Sequence, residues 1–357
     1  MSAVQAPWAR RPLSDLLAEH DLDRVEEQPF EHNGWSGAQL TLLRRDGAIY
    51  ILKRSSWAMD WIARSTRDHA VREAVVAADP VELPAPLSSA YLGAAADGGT
   101  AAILMPDLSA ELLPWDGTRS GGAAVQVIDD ATLERVLAAA AALHAFSWAD
   151  ARQGRPDPRW PWCPLRERIE LLTPAAARRH RAGGLAAAER FLTGWDAFDR
   201  LAPPAAVALL RDLGRDASPL LASLGRLPAT GLHGDLKLAN VAIRTDGTIS
   251  LIDWQMTTLG PVAVDLGWFL VSNVNQLPAA ADVILGRYLA AAARAERDVV
   301  ADADAQFDLA ILVGLLLRGW RKGLDAEADE VLPTGASAAD DLAWWCDRAL
   351  AAARRRL

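Results

Sequence analysis

The segment LHGDLKLANVAIRTDGTISLIDWQ, residues 232–255, constrains this chain more than any other. It reads as strand, turn and strand. His233-Gly234-Asp235 opens it, Lys237 and Asn240 follow, and after a hairpin the apolar run Ile249-Ser250-Leu251-Ile252 delivers Asp253. Moving a phosphoryl group onto a hydroxyl requires a carboxylate that takes or orients the hydroxyl proton. It also requires oxygen ligands for magnesium on the phosphates and a cation to offset the transferred charge. Asp235, the pair Asn240 and Asp253, and Lys237 are those residue types, in that order along the chain.

The H-G-D-x-K-x-x-N block followed by I-D-W-Q resembles the aminoglycoside phosphotransferase and choline kinase-like family of small-molecule kinases. The resemblance implies an α+β, protein-kinase-like fold of two lobes, a small N-terminal one with an antiparallel sheet and a large, mostly helical C-terminal one. It implies ATP and Mg²⁺ as cofactors and a small-molecule hydroxyl as acceptor. Asp235 would be the catalytic base, Lys237 the neutralising cation, and Asn240 and Asp253 the metal ligands. A protein kinase fits less well, because H-R-D, D-F-G and A-P-E are missing from the expected positions. A catalytically silent nucleotide-binding module is marked by a lost base or metal ligand, and this sequence keeps both. Aminoglycoside, macrolide, amino alcohol and sugar acceptors all stay open. Trp254-Gln255 departs from the acidic or small residues common after this aspartate, which bears on a second metal.

A chain of 357 residues exceeds one typical core, so two lobes are expected: 1–106 for nucleotide binding and 107–357 for catalysis and acceptor binding. The net charge of −9 argues against a nucleic-acid partner, which needs a basic face. Cys163 and Cys346 fit neither a disulfide framework nor a metal cluster and point to a reducing compartment. The N-terminus lacks the continuous apolar core of a signal peptide. The apolar run Leu309 to Leu317 is too short to span a bilayer and reads as a buried helix. The expectation is a cytoplasmic protein that does not enter membranes.

In the first lobe, Asp46-Gly47 predicts a hairpin between strands at Gln39 to Leu43 and Ala48 to Lys53. Upstream, the turn 31–38 contains Ser36-Gly37, whose backbone could approach ATP phosphates. Lys53, at the end of its strand, is the residue to grip the α- and β-phosphates, with Glu73 in a helical stretch 67–76 as its partner in preference to Glu82. Thr100 to Met105 reads as a strand, and its run into Pro106 resembles the family's hinge, which implies that the carbonyl of Pro106 and the N–H of Leu108 face adenine. The stretch Ala94 to Gly99 reads as a flexible connection, as does 120–123.

The second lobe is alanine-rich and helical. Asp129-Asp130 starts a helix with Leu133, Val136, Leu137, Ala140 and Leu143 on one face. It ends near Leu143-His144-Ala145-Phe146, with His144 read as a packed structural histidine. Residues 159–227 form a helical insert with Trp160, Trp162, Trp195 and Phe198, which by resemblance walls the acceptor site. Asp265 lies where the resembling family has an aspartate, which implies that it braces the catalytic loop through backbone hydrogen bonds. The acidic runs 325–330 and 340–341 read as a solvated face more than as a lure for a cationic substrate.

Overall fold

The computed structural model describes residues 6–30, 36–114, 126–146, 148, 160–294 and 300–357. Residues 31–35 of the expected turn, the expected connection 120–123 and residue 159 of the expected insert lie outside that set. Helix α1 (Leu13–Glu19) precedes strands β1 (Gln28–Pro29), β2 (Gln39–Arg45) and β3 (Ala48–Ser55). Helices α2 (Trp61–Ser65) and α3 (Arg72–Ala78), the short β4 (Leu87–Ser88), and strands β5 (Gly93–Asp97) and β6 (Thr100–Pro106) complete this half. The main sheet has the order β1-β2-β3-β6-β5 and is antiparallel throughout. Asp46 and Gly47, at φ 48° and 82°, make the tight turn that joins β2 to β3. Positive φ at both central residues matches the strand twist, which is why Asp-Gly marks hairpins.

Period-two alternation sorts the sheet's side chains. Leu43, Leu52, Ala95, Ala102 and Leu104 pack with Leu16 and Leu22 on the outer face. Ile51, Ala94, Ala101, Ile103 and Met105 turn to the opposite face, against α3 through Ala74 and Val75. Lys53, two residues beyond Ile51, therefore points to the α3 side.

Three expectations are corrected here. Residues 94–97 belong to strand β5, with the turn only at 98–99. Alanine is a weak strand former, but pairing with β6 and burial on both faces override that preference. The helix carrying Glu73 starts at Arg72, five residues later than expected at 67, because Arg67 and Val71 both hold positive φ. Trp160 and Trp162 lie outside the helices and stack with each other and edge-on to Trp148.

The second half contains α4 (Asp130–Ala145), α5 (Leu165–Glu170), α6 (Pro174–Ala182), α7 (Ala187–Leu201), α8 (Pro204–Arg215) and α9 (Ser218–Leu224). Strands β7 (Thr230–Leu232), β8 (Val241–Ile243), β9 (Ile249–Leu251) and β10 (Thr258–Gly260) follow. The chain ends in α10 (Ala263–Ser272), α11 (Ala281–Ala292), α12 (Ala303–Glu327) and α13 (Ala338–Arg356). Asp129 caps α4 by accepting from the Thr132 N–H at 2.7 Å, the role its sequence position predicts. Helix α12, largely buried and carrying the apolar run 309–317, is the spine against which α7, α10 and α13 pack. Among the described residues no helix is long and apolar enough to cross a membrane. The architecture is the expected α+β, protein-kinase-like one, with an antiparallel sheet on one side of a cleft and a helical mass on the other.

Candidate active site

Strand β7 delivers the chain into His233-Gly234-Asp235. Gly234 has φ 80°, and a Cβ there would lie 1.8 Å from the Met256 carbonyl oxygen, so no other residue fits this turn. Asp265, in the first turn of α10, accepts from the backbone N–H of His233 and of Gly234, each at 2.9 Å. It also meets His144 Nε2 at 3.2 Å, and His144 Nδ1 lies 2.7 Å from the Tyr288 hydroxyl. Burial pushes the Asp265 carboxyl up, but the His144 contact, the nearby His233 ring and the Gly234 N–H outweigh it and hold it below the ordinary range. The loop is thus pinned by one buried anion, and His144 is more than packing. His233 Nδ1 accepts from the Asp235 N–H at 3.2 Å, so its Nε2–H donates to the Ile252 carbonyl at 3.0 Å. This histidine staples the two strands of the motif together, and burial pushes its pKa down toward the neutral form.

Asp235 is buried, with one carboxylate oxygen committed and the other not. Its Oδ2 accepts from Lys237 Nζ at 2.8 Å and Asn240 Nδ2 at 3.0 Å, whereas its Oδ1 has no hydrogen-bond partner among the described residues. An unsatisfied buried carboxylate oxygen is costly and calls for an explanation such as a substrate proton. Asn240 Nδ2 also donates to the Asp235 carbonyl at 2.9 Å, which fixes the amide and leaves Oδ1 as its oxygen donor. Asp253 follows β9 in the left-handed region at φ 67°, an uncommon conformation for a residue with a side chain. Burial raises its carboxyl, yet Lys53 and Lys237 dominate and set it at about 2.

Across the cleft, Lys53 Nζ sits 2.6 Å from Glu73 Oε2 and donates to Asp253. The pairing of Lys53 with Glu73, inferred from sequence, is therefore present in the geometry, and Asp253 joins it. Tyr91, which sequence reading passed over, completes the link. Its hydroxyl donates to Glu73 Oε1 at 2.9 Å and accepts from the Asp253 N–H at 3.1 Å. Desolvation pushes Lys53 down, but the two carboxylates prevail and raise it. Gly37 turns the nearby loop at φ 95°, where a Cβ would lie 2.5 Å from the Met59 carbonyl oxygen. Ser36 Oγ accepts from the Ala38 N–H at 3.3 Å, and Ser36 lines the same cleft.

The cleft, with a volume of ≈ 300 Å³, is lined at one end by Ser36, Ile51, Lys53, Met105, Pro106 and Leu108. The Asp107 N–H donates to the Ile49 carbonyl at 2.9 Å. That makes 107 and 49 a hydrogen-bonded pair, so Pro106, opposite Tyr50, takes the alternate position with its carbonyl turned away from β3. The other end is aromatic and charged, with Phe191, Trp268, Trp320, Arg318, Arg321 and Asp325. Asp325 is buried and accepts from Arg321 Nε at 2.6 Å, so this member of the acidic run is a cleft residue rather than part of a solvated face. Asp340 instead is exposed, accepting from the Ser337 hydroxyl at the start of α13.

Two buried arginines also escaped sequence reading. Arg72 reaches from α3 to the carbonyls of Pro161 at 2.6 Å and Gln255 at 3.2 Å, tying the lobes together. Arg168 is fully buried, donates from Nε to the Gly234 carbonyl and stacks 4.6 Å over Trp268. Neither is flagged by spacing. Trp254 is buried and donates to the Leu251 carbonyl at 2.9 Å, so it serves packing.

Among the described residues no cluster of three His, Cys, Asp or Glu side chains could hold a metal ion by itself. An ionised Asp253 plus the Asn240 oxygen is nonetheless the sparse, hard-oxygen set that suits magnesium, which keeps waters and leans on phosphates.

Among solved structures, the chain is similar to an aminoglycoside phosphotransferase from Streptomyces rimosus, at 18% identity and TM-score 0.42, covering 85% of this chain and 97% of that one. It is similar to a choline kinase from Cryptosporidium parvum at 10% identity and TM-score 0.48, over 93% and 89% of the two chains. A microcompartment-associated aminopropanol kinase aligns at 16% identity and TM-score 0.48, over 96% of each. No curated protein matches in sequence. The model of the phosphotransferase enzyme family matches residues 28–302, most of the chain, a span that includes Lys53, Glu73, Asp235, Lys237, Asn240 and Asp253. The chain belongs to the phosphotransferase enzyme family.

Proposed function

We propose that the protein transfers the γ-phosphoryl group of ATP to a hydroxyl of a small molecule in a magnesium-dependent reaction. The observation that carries this reading is the convergence of Lys53, Glu73 and Asp253, from both sides of the cleft, beside an Asp235 with a buried, uncommitted oxygen. Asp235 Oδ1 takes or orients the acceptor proton, and the Lys237 and Asn240 donors on Oδ2 hold the carboxylate in place. Lys53, ordered by Glu73, binds the nucleotide phosphates, and Lys237 offsets charge on the transferred group. Asn240 and Asp253 hold magnesium, which when bound neutralises phosphate charge. Ser36 and Gly37 cover the phosphates, and the Pro106 carbonyl and Leu108 N–H receive the base. In this reading residues 1–106 form the nucleotide lobe and 107–357 the catalytic lobe. The buried free thiols of Cys163 and Cys346 support a reducing, cytoplasmic setting.

The direct test is ADP release across a panel of amino alcohols, sugars, aminoglycosides and macrolides, run with ATP or GTP. Turnover with at least one acceptor, lost in EDTA, is the expected result. Magnesium-independent turnover, or nucleotide binding with no transfer to any hydroxyl, would count against it.

A further inference from the structure

A second cavity of ≈ 420 Å³ adjoins the cleft and is not used by the chemistry above. Trp61 and Leu171 line both spaces, so they form the partition between them. His180 fixes that partition: it meets Trp61 edge-on at 4.8 Å between ring centroids, and its Nε2 lies 2.8 Å from the Leu171 carbonyl. The walls are rich in guanidinium groups. Arg64, Arg67, Arg166 and Arg179 face Glu167 and Glu170, four cations against two anions. Arg166 is matched by Glu170 at 2.8 Å and Arg67 by Glu167 at 3.2 Å. Arg64 spends hydrogen bonds on the carbonyls of Trp57 and Ala58 at 3.4 and 2.7 Å. Neither Arg64 nor Arg179 has a carboxylate partner among the described residues.

The backbone under Arg67 adds an independent observation. Helix α2 closes with the Asp68 N–H donating to the Ala63 carbonyl at 2.8 Å, which places Arg67 at the left-handed position, φ 55°. Helices that end this way put glycine there, because a Cβ is strained. An arginine held in that conformation gives up stability at a place where its side chain reaches the cavity wall.

We propose that this cavity binds the oxyanion, carboxylate or phosphate, of a small ligand. Planar guanidinium forks match such groups with paired, charge-assisted hydrogen bonds. Two sources supply that chemistry. One is an anionic tail of the acceptor, reaching past Trp61 while its hydroxyl lies at Asp235. The other is a free anion. Binding stands apart from the phosphotransfer reading; only its assignment to the acceptor rests on it.

The test titrates the full-length protein with inorganic phosphate by calorimetry, with saturating ADP present to occupy the nucleotide end. Saturable binding is expected, weakened about tenfold or more in Arg67→Gly and in Arg179→Gln. Arg67→Gly separates binding from folding, since glycine suits the left-handed position: Tm should hold or rise while affinity falls. No saturable binding in the wild type, or binding unchanged in both variants, overturns the proposal. The sources then separate by kinetics. Phosphate competing with a carboxylated or phosphorylated alcohol, with KM raised and kcat kept in Arg179→Gln, identifies the acceptor's own tail. Phosphate binding that leaves acceptor KM unchanged identifies a free anion. Absence of turnover with every acceptor would remove the phosphotransfer reading and leave the calorimetric result readable.

Discussion

One side of the cleft takes Asp235, Lys237, Asn240 and Asp253 from one short stretch of chain, whereas the opposite side assembles Lys53, Glu73 and Tyr91 from β3, α3 and the link between β4 and β5. The difference shows in how each is held. The stretch is pinned from beneath by backbone donors on Asp265 and by the His233 bridge to Ile252. The opposite side is held by its own side chains, Lys53 to Glu73 and Glu73 to Tyr91. A loop fixed by its backbone can lose one functional side chain and keep its shape. A chain of side-chain contacts transmits any loss to its neighbours.

The sharpest way to break this contrast is at Asp235. Asp235→Asn should lower kcat by about 10²–10⁴-fold, the range of a positioned general base, with ATP affinity kept, because the loop below it is intact. Turnover near wild type would remove Asp235 from the mechanism. A collapse in ATP affinity would show that the loop is less independent than its backbone bracing implies.

On the side-chain-held face the contrast predicts coupling. Lys53→Met and Glu73→Gln should each lower kcat/KM for ATP by about 10- to 100-fold, the scale of one charge-assisted hydrogen bond. The double variant should be little worse than either single one. Additive losses in a double-mutant cycle would mean that the two residues act separately.

The same contrast explains what could be read in advance. That Asp235, Lys237, Asn240 and Asp253 belong together was legible because they lie within one window whose residue types and order are unusual together. Lys53 was legible because a strand after an Asp-Gly turn fixes its face by alternation. Tyr91 and Arg168 were not, since a lone tyrosine beside a short strand and an arginine in a helix gain meaning only from tertiary neighbours. Strand β5 failed for a related reason: its alanines carry no strand preference of their own, and pairing with β6 supplies it. Asp325 sits in a run of acids whose pattern suggests a wet surface, yet helix α12 turns it inward to Arg321.

A smaller effect is expected beneath the loop. Asp265→Asn should cost on the order of 2 kcal/mol of stability at neutral pH, since the charged acceptor of two backbone N–H groups is lost. The folded Asp265 carboxyl lies below its ordinary value of 3.8, so its contribution is fully present above that value and disappears as pH falls through the depressed one. Urea unfolding should therefore show a constant gap between wild type and variant down to about pH 4, closing below it. A gap that widens in acid would mean that Asp265 does not carry the charge that pins the loop.

The finest test concerns Tyr91, where the two sides of the cleft meet. Its hydroxyl both donates to Glu73 and accepts from the backbone of Asp253. Tyr91→Phe keeps the ring, so packing around this buried side chain should persist and Tm should move little. What disappears is one donor to the Glu73 carboxylate, which keeps its ion pair with Lys53, and the acceptor for the Asp253 N–H, and about 1 kcal/mol of that loss should reach ATP use. The expected result is a fall in kcat/KM for ATP of about fivefold, well below that of Lys53→Met. In the Glu73→Gln background the same change should do less, because the anion it orients is already gone. If Tyr91→Phe were as damaging in both backgrounds, the hydroxyl would act through Asp253 alone, and the two sides would be joined by the loop backbone rather than by the Lys53–Glu73 pair.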